Sequence, residues 1–141
     1  MSDLIKAKEL LSSGEYTCIL KKGDKIYTSV LRGVKPLVKW YADGVDLSDF
    51  SAADKVVGKA TAFLYALLSV KEVFAKVMSV SAKTVLEENG ITAECENLVP
   101  NIINRNGDGI CPFEEAVLNT ENKEKAYEII RHKMQEMGVD L

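Results

Sequence analysis

Val73 to Cys95 reads VFAKVMSVSAKTVLEENGITAEC, and this stretch decides the fold. Val73 to Val80 is mostly apolar, the composition of a strand covered on both faces, and such strands belong to parallel sheets. Ser81 can cap a helix over Ala82 to Glu88, which Asn89 and Gly90 end before a further strand near Ile91 to Cys95. Strand, helix and strand at this spacing predict a right-handed crossover with helices on the sheet faces. Ligands of such sheets bind beyond the carboxyl ends of the parallel strands, so Ser79 and Ser81 are candidate ligand contacts.

Upstream, Ser51 to Ser69 reads as one long helix, nearly all apolar or small from Ala60 onward and so buried on most sides. Its polar residues Asp54, Lys55 and Lys59 crowd into the first two turns, with Gly58 between them allowing a backbone or ligand to come close. Asp54, Lys55 and Gly58 are therefore candidate binding residues; the plainer reading is that Asp54 favours the helix dipole and the lysines reach solvent. Leu4, Ile5, Ala7, Leu10 and Leu11 recur at helical spacing before a stop at Gly14. Tyr16 to Leu20 and Lys25 to Leu31 flank the polar Lys21 to Asp24 segment and read as an antiparallel hairpin. Pro36 opens a helical turn through Tyr41 that Gly44 closes, with Trp40 at the edge of the core. Thr120 caps a last amphipathic helix ending near Gly138. No repeat or linker divides the chain, so a single domain over 1–141 is expected.

Asn104 to Glu115, NRNGDGICPFEE, admits two chemistries. As a calcium loop it places Asn104, Asn106 and Asp108 at the first, third and fifth positions, Gly109 at the sixth and Glu115 at the twelfth. As a glycine turn feeding a helix it has Cys111 at the cap, Pro112 in the first helical position, and Glu114 and Glu115 in the first turn. The second reading is favoured. Pro100 disfavours the helix that should enter a calcium loop, the loop begins with an amide, and Pro112 stands where a ligand is expected.

The chain has 141 residues, large enough for one domain that buries roughly 70% of its unfolded surface. Charge is mixed, 18 basic against 21 acidic residues for a net of −3, so no basic field points to nucleic acid or an anionic membrane. No signal core or membrane-length apolar run is seen, and Cys18, Cys95 and Cys111 share no C-x-x-C spacing. A cytoplasmic protein with free thiols, and without a cofactor or metal, is expected.

The order of elements resembles the cytidine deaminase-like fold, and the segments at Asp54 and Ser81 fall where that superfamily keeps its zinc motifs. In detail the chain resembles a small prokaryotic family of unknown function with this fold, through DKVVGKA from Asp54, SVSAKT from Ser79 and NRNGDGICPFEE from Asn104. The resemblance implies a three-layer α/β/α sandwich with a mixed sheet of about 4–5 strands that opens on the hairpin, and a homodimer. Zinc deaminases use an H-x-E helix start and P-C-x-x-C on the following helix. Aligned here, Asp54 takes the metal-ligand position, Val56 the proton-shuttle position, and Ser81 and Thr84 the two cysteine positions. Two hydroxyls cannot replace two thiolates, and valine transfers no proton, so zinc-dependent deamination is not expected. His132, the only histidine, lies in the last helix as a solvated residue.

Three functions compete for such a scaffold. In a binding module, helix starts and the Asn106 to Gly109 turn present N–H groups and hydroxyls to a nucleotide-like or other small metabolite, with Lys55 or Arg105 neutralising phosphate. Asp54, Asp108 and Glu114 with Glu115 repel an anion there, unless the base or ribose faces them. In a zinc-free enzyme, Cys111 is the nucleophile at a helix N-terminus, opposed by the neighbouring glutamates. In a structural or protein-interaction role there is no small ligand.

Overall fold

The computed structural model describes residues 2–31, 33–104 and 106–139. Its elements are α1 (Asp3–Ser12), β1 (Cys18–Lys22), β2 (Lys25–Ser29), α2 (Lys35–Ala42), β3 (Ser51–Val57), α3 (Lys59–Leu68), β4 (Glu72–Ser79), α4 (Val80–Glu88), β5 (Thr92–Val99), α5 (Pro112–Ala116) and α6 (Lys123–Glu136). The five strands form one mixed sheet in the order β2-β1-β3-β4-β5. β1 runs antiparallel to both β2 and β3, whereas β3, β4 and β5 are parallel. Lys22 pairs with Lys25, so the hairpin turns on Gly23 and Asp24 alone. Gly23 has φ 58°, the left-handed geometry that a two-residue hairpin turn demands.

On one face of the sheet, Ala7 and Leu11 of α1 pack against Ile19, Ala53 and Phe74. Residues of α2, α3, α4 and α6 build the larger core on the other face, which makes three layers. α3 is central, with every residue from Lys59 to Ala66 buried, because Ala126, Ile130 and Met134 of α6 join the core that covers it. None of the helices is long and apolar enough to cross a membrane, among the described residues.

Ser51 to Ser69 is not one helix. Its first part is the strand β3, hydrogen-bonded to β1 on one side and β4 on the other, and only Lys59–Leu68 is helical. In this short run Ser51 to Asp54 are buried one after another, so it carries no period that separates strand from helix, and the two flanking strands decided the matter. Caps differ as well. Ser79, not Ser81, caps α4 by accepting from the Ala82 N–H at 3.2 Å, and Asn122, not Thr120, caps α6 by accepting from the Lys125 N–H at 2.9 Å.

Asp54 therefore stands inside a strand, not at a helix start, and is 9% exposed. Its burial has a local reason. Asp54 and Val57 both face the α3 layer, as do Ala75 and Met78 of β4, although residues three apart in a regular strand face opposite ways. The paired register passes from Asp54↔Ala75 to Val56↔Val77 and omits the pair between, so the pleat slips at Lys55 and Lys76 in adjacent strands. One Asp54 oxygen accepts from the Val56 N–H at 3.4 Å, within the slipped segment, and the other accepts from the Tyr65 hydroxyl at 2.7 Å. Cys18 Sγ lies 3.3 Å from that hydroxyl. Burial, and after it the Asp54 charge, pushes the Cys18 thiol and the Tyr65 hydroxyl well above their ordinary values, so both keep their protons. The thiol can then donate to the tyrosine oxygen while the tyrosine donates to the carboxylate.

Burial pushes the Asp54 carboxyl up from 3.8 to about 6 against the opposing pull of its hydrogen bonds. The folded protein thus holds a proton on Asp54 that the unfolded chain releases between these two values. Stability falls as pH rises through that window and the whole penalty is present above about pH 6, amounting to about 3 kcal/mol for a shift of roughly two units. Asp54→Asn keeps an acceptor for Tyr65 and removes the titration. Urea unfolding at pH 4 and pH 7 will show the wild type losing up to about 3 kcal/mol relative to Asp54→Asn; parallel pH profiles would contradict the assignment.

Candidate functional site

β3 and β4 are parallel neighbours, with Val57 opposite Met78, so the helices that follow them start side by side. α4 carries its own cap in Ser79, whose hydroxyl is also 3.2 Å from that of Ser81. α3 has none, because its cap position is Gly58. A carboxylate from another element takes that place: Glu114 of α5 accepts from the Lys59 N–H through Oε2 at 2.5 Å. An N-terminal N–H with no intrahelical partner is thereby satisfied, and the negative charge lies where the dipole of α3 favours it.

Gly58 is required by proximity and not by its backbone, whose φ is an ordinary −97°. A Cβ at this position would lie 2.4 Å from Glu114 Oε2 and 3.0 Å from Ile102 Cγ1. Glu114 is 2% exposed, and its other oxygen, Oε1, is buried with no hydrogen-bond partner among the described residues. A buried acceptor left in this state costs about 1–3 kcal/mol. Lys59 does not relieve it. The Lys59 ammonium is engaged elsewhere, donating to the Leu118 carbonyl at 2.9 Å and pairing with Glu121 at 3.3 Å.

The segment that covers this end folds back on itself. Ile103 and Ile110 form an antiparallel bridge, and the Cys111 N–H donates to the Ile102 carbonyl at 2.8 Å. At the tip, Asn104 Nδ2 donates to Asp108 at 2.9 Å while the Asp108 N–H donates to Asn104 Oδ1 at 3.3 Å. Two residues of the calcium-loop pattern are thus spent on each other, and Glu115 points to solvent. The described residues contain no group of three or more His, Cys, Asp or Glu side chains arranged to hold a metal ion.

Of the residues singled out from sequence, the fold brings Gly58, Ser79, Ser81 and Glu114 to the start of the paired helices. It takes others away. Asp54 is sealed in the core, where both its oxygens are used. Lys55 lies in β3, its N–H held by the Thr17 carbonyl at 3.1 Å, and Asp108 sits in the exposed turn. Arg105 lies outside the described residues. Cys111 is the partly buried cap residue of α5, with no side-chain capping bond, as the sequence suggested for a helix-starting C-P pair. Because α3 starts at Lys59, the helix-start positions are Gly58 and Lys59, and the alignment of Asp54 and Val56 with a metal ligand and a proton shuttle does not hold. His132 is paired with Glu136 at 2.9 Å on the surface of α6. Sequence reasoning missed the anchoring of Lys59 to Leu118 and Glu121. The signal was Gly58 itself, a helix start without a polar cap, which must borrow an acceptor from elsewhere.

The sequence model of the TM1506 family, a domain of unknown function (DUF1893), matches residues 6–134. Among solved structures, the chain is similar to a DUF1893 family protein (TM1506) from Thermotoga maritima, determined at 2.70 Å resolution. That protein shares 26% sequence identity with a TM-score of 0.85, over 94% of this chain and 91% of its own. No curated protein matches at a significant level. The matched span includes the whole sheet, the paired helix starts and Glu114. On that coverage the chain belongs to the DUF1893 family, a domain of unknown function.

Proposed function

We propose that the protein is a small-molecule-binding module on a deaminase-like scaffold, taking a polar, nucleoside-like metabolite at the carboxyl edge of β3 and β4. One observation carries this reading: Glu114 brings a buried carboxylate to the start of α3 and leaves one oxygen without a partner among the described residues. Unpaired buried acceptors are rare in folded proteins, and a functional role is one of the explanations for each. The location agrees with the general rule that open α/β sheets bind ligands beyond the carboxyl ends of their parallel strands. The scaffold is supported by the opening hairpin followed by the order strand, helix, strand, helix, strand.

The chemistry at this edge is not that of a zinc deaminase. The polar side chains at the two helix starts belong to Lys59, Thr61, Ser79 and Ser81, an ammonium and three hydroxyls, which do not fit the imidazole and thiolate set that binds zinc. A phosphate at the start of α3 is disfavoured too, since Glu114 already occupies the position an anion would take. A nucleoside-like ligand would therefore turn its base or sugar, not a phosphate, toward α3.

The test is a thermal-shift screen of the full chain against nucleosides, their monophosphates and simple sugars. At least one nucleoside is expected to raise the melting temperature, by the equivalent of about 2.7 kcal/mol at a hundredfold excess over its Kd. Failure of every compound to shift the transition would remove the reading. Two variants localise the effect. Cys111→Ser will keep the shift, since no step uses the thiol. Gly58→Ala places a methyl within 2.4 Å of the Glu114 carboxylate and will lose it. Retention of full ligand stabilisation in Gly58→Ala would place the ligand elsewhere.

A further inference from the structure

We infer that the ligand group meeting Glu114 is an ammonium or amidinium, so that the site selects a cationic nitrogen and discriminates against anions. This deepens the binding function proposed above and rests on it. An ionised carboxylate only accepts hydrogen bonds, and its two oxygens are unequally served here. Oε2 has the Lys59 N–H and the positive end of α3, while Oε1 has no partner among the described residues, at a residue that is 2% exposed. The complement of Oε1 must be a donor, and a charged donor offsets what burial of the carboxylate costs.

The described residues do not provide that donor. Lys59 is the nearest cation in sequence to the contact, and its ammonium is engaged by the Leu118 carbonyl and Glu121. Its place over the Phe63 ring, 5.9 Å from the centroid, also directs it away from the start of α3. A carboxylate with an open oxygen and, among the described residues, no cation on it is matched by a positively charged N–H donor. An uncharged amide of the same shape can donate to the same oxygen but brings no opposite charge to offset the burial of the carboxylate, so it should bind less well. An anion meets repulsion from Glu114 and finds the N–H of Lys59 already taken.

Benzamidine, benzamide and benzoate are close in shape and differ in charge, and their binding to the full chain by calorimetry tests the inference. Benzamidine is expected to bind at least tenfold more tightly than benzamide, with no binding of benzoate or inorganic phosphate. Glu114→Gln, which keeps an acceptor for the Lys59 N–H, should erase the preference, whereas Glu121→Gln should preserve it. The comparison of ligands on the wild type decides the matter even if Glu114→Gln proves unstable. Benzoate or phosphate binding as tightly as benzamidine, an unchanged preference in Glu114→Gln, or no binding of benzamidine would each overturn the inference. If nucleosides stabilise the wild type while benzamidine does not bind, the binding function stands and only the cation preference falls; if neither acts, both fall.

Discussion

A carboxylate pressed against a glycine holds the candidate site together. Glu114 reaches the first N–H of α3 only because Gly58 has no side chain, and α3 can start without a cap of its own only because Glu114 is there. Neither residue makes sense alone. This contact ties the most buried helix of the core to α5 and to the folded-back segment that precedes it, joining stretches of chain more than fifty residues apart. The same end is held again by Lys59, whose ammonium is anchored on the Leu118 carbonyl just beyond α5. Covering the parallel-strand edge is thus a consequence of how α3 begins.

Two carboxylates are buried among the described residues, and their surroundings separate their roles. Asp54 uses both oxygens internally, one on the slipped pleat of β3 and one on Tyr65, with Cys18 completing the chain of donors. Such a group serves the fold, at the cost of a penalty that grows once it ionises. Glu114 uses one oxygen for the fold and, among the described residues, leaves the other without a partner. Burial and charge alone do not distinguish these cases; the hydrogen-bond inventory of each oxygen does.

The crossover over β4, α4 and β5 was legible in the sequence because its signals were local and mutually consistent: an apolar run, serines at its end, then Asn89 and Gly90. The hairpin around Gly23 and the Cys111-Pro112 helix start were legible for the same reason. β3 was not. Ser51 to Val57 mixes small, charged and apolar residues without alternation and is followed directly by a buried helix, so its strand character depends on β1 and β4, which approach from distant sequence. That error moved Asp54 and Lys55 to a helix start and put Gly58 inside a helix, whereas in the structure Gly58 stands at the junction of β3 and α3. The open oxygen of Glu114 could not have been read from sequence at all, because it depends on the packing of α5 against α3.

The contact between Glu114 and α3 is best tested at the Lys59 amide proton, observed by NMR in the wild type and in Glu114→Ala. A hydrogen bond from this N–H to a buried carboxylate predicts a strongly downfield amide resonance that exchanges slowly with solvent. In Glu114→Ala the resonance should move upfield and exchange much faster, while amides in the middle of α3 keep their protection. A Lys59 amide whose shift and exchange are the same in both proteins would contradict the account, for α3 would then start as it does without Glu114.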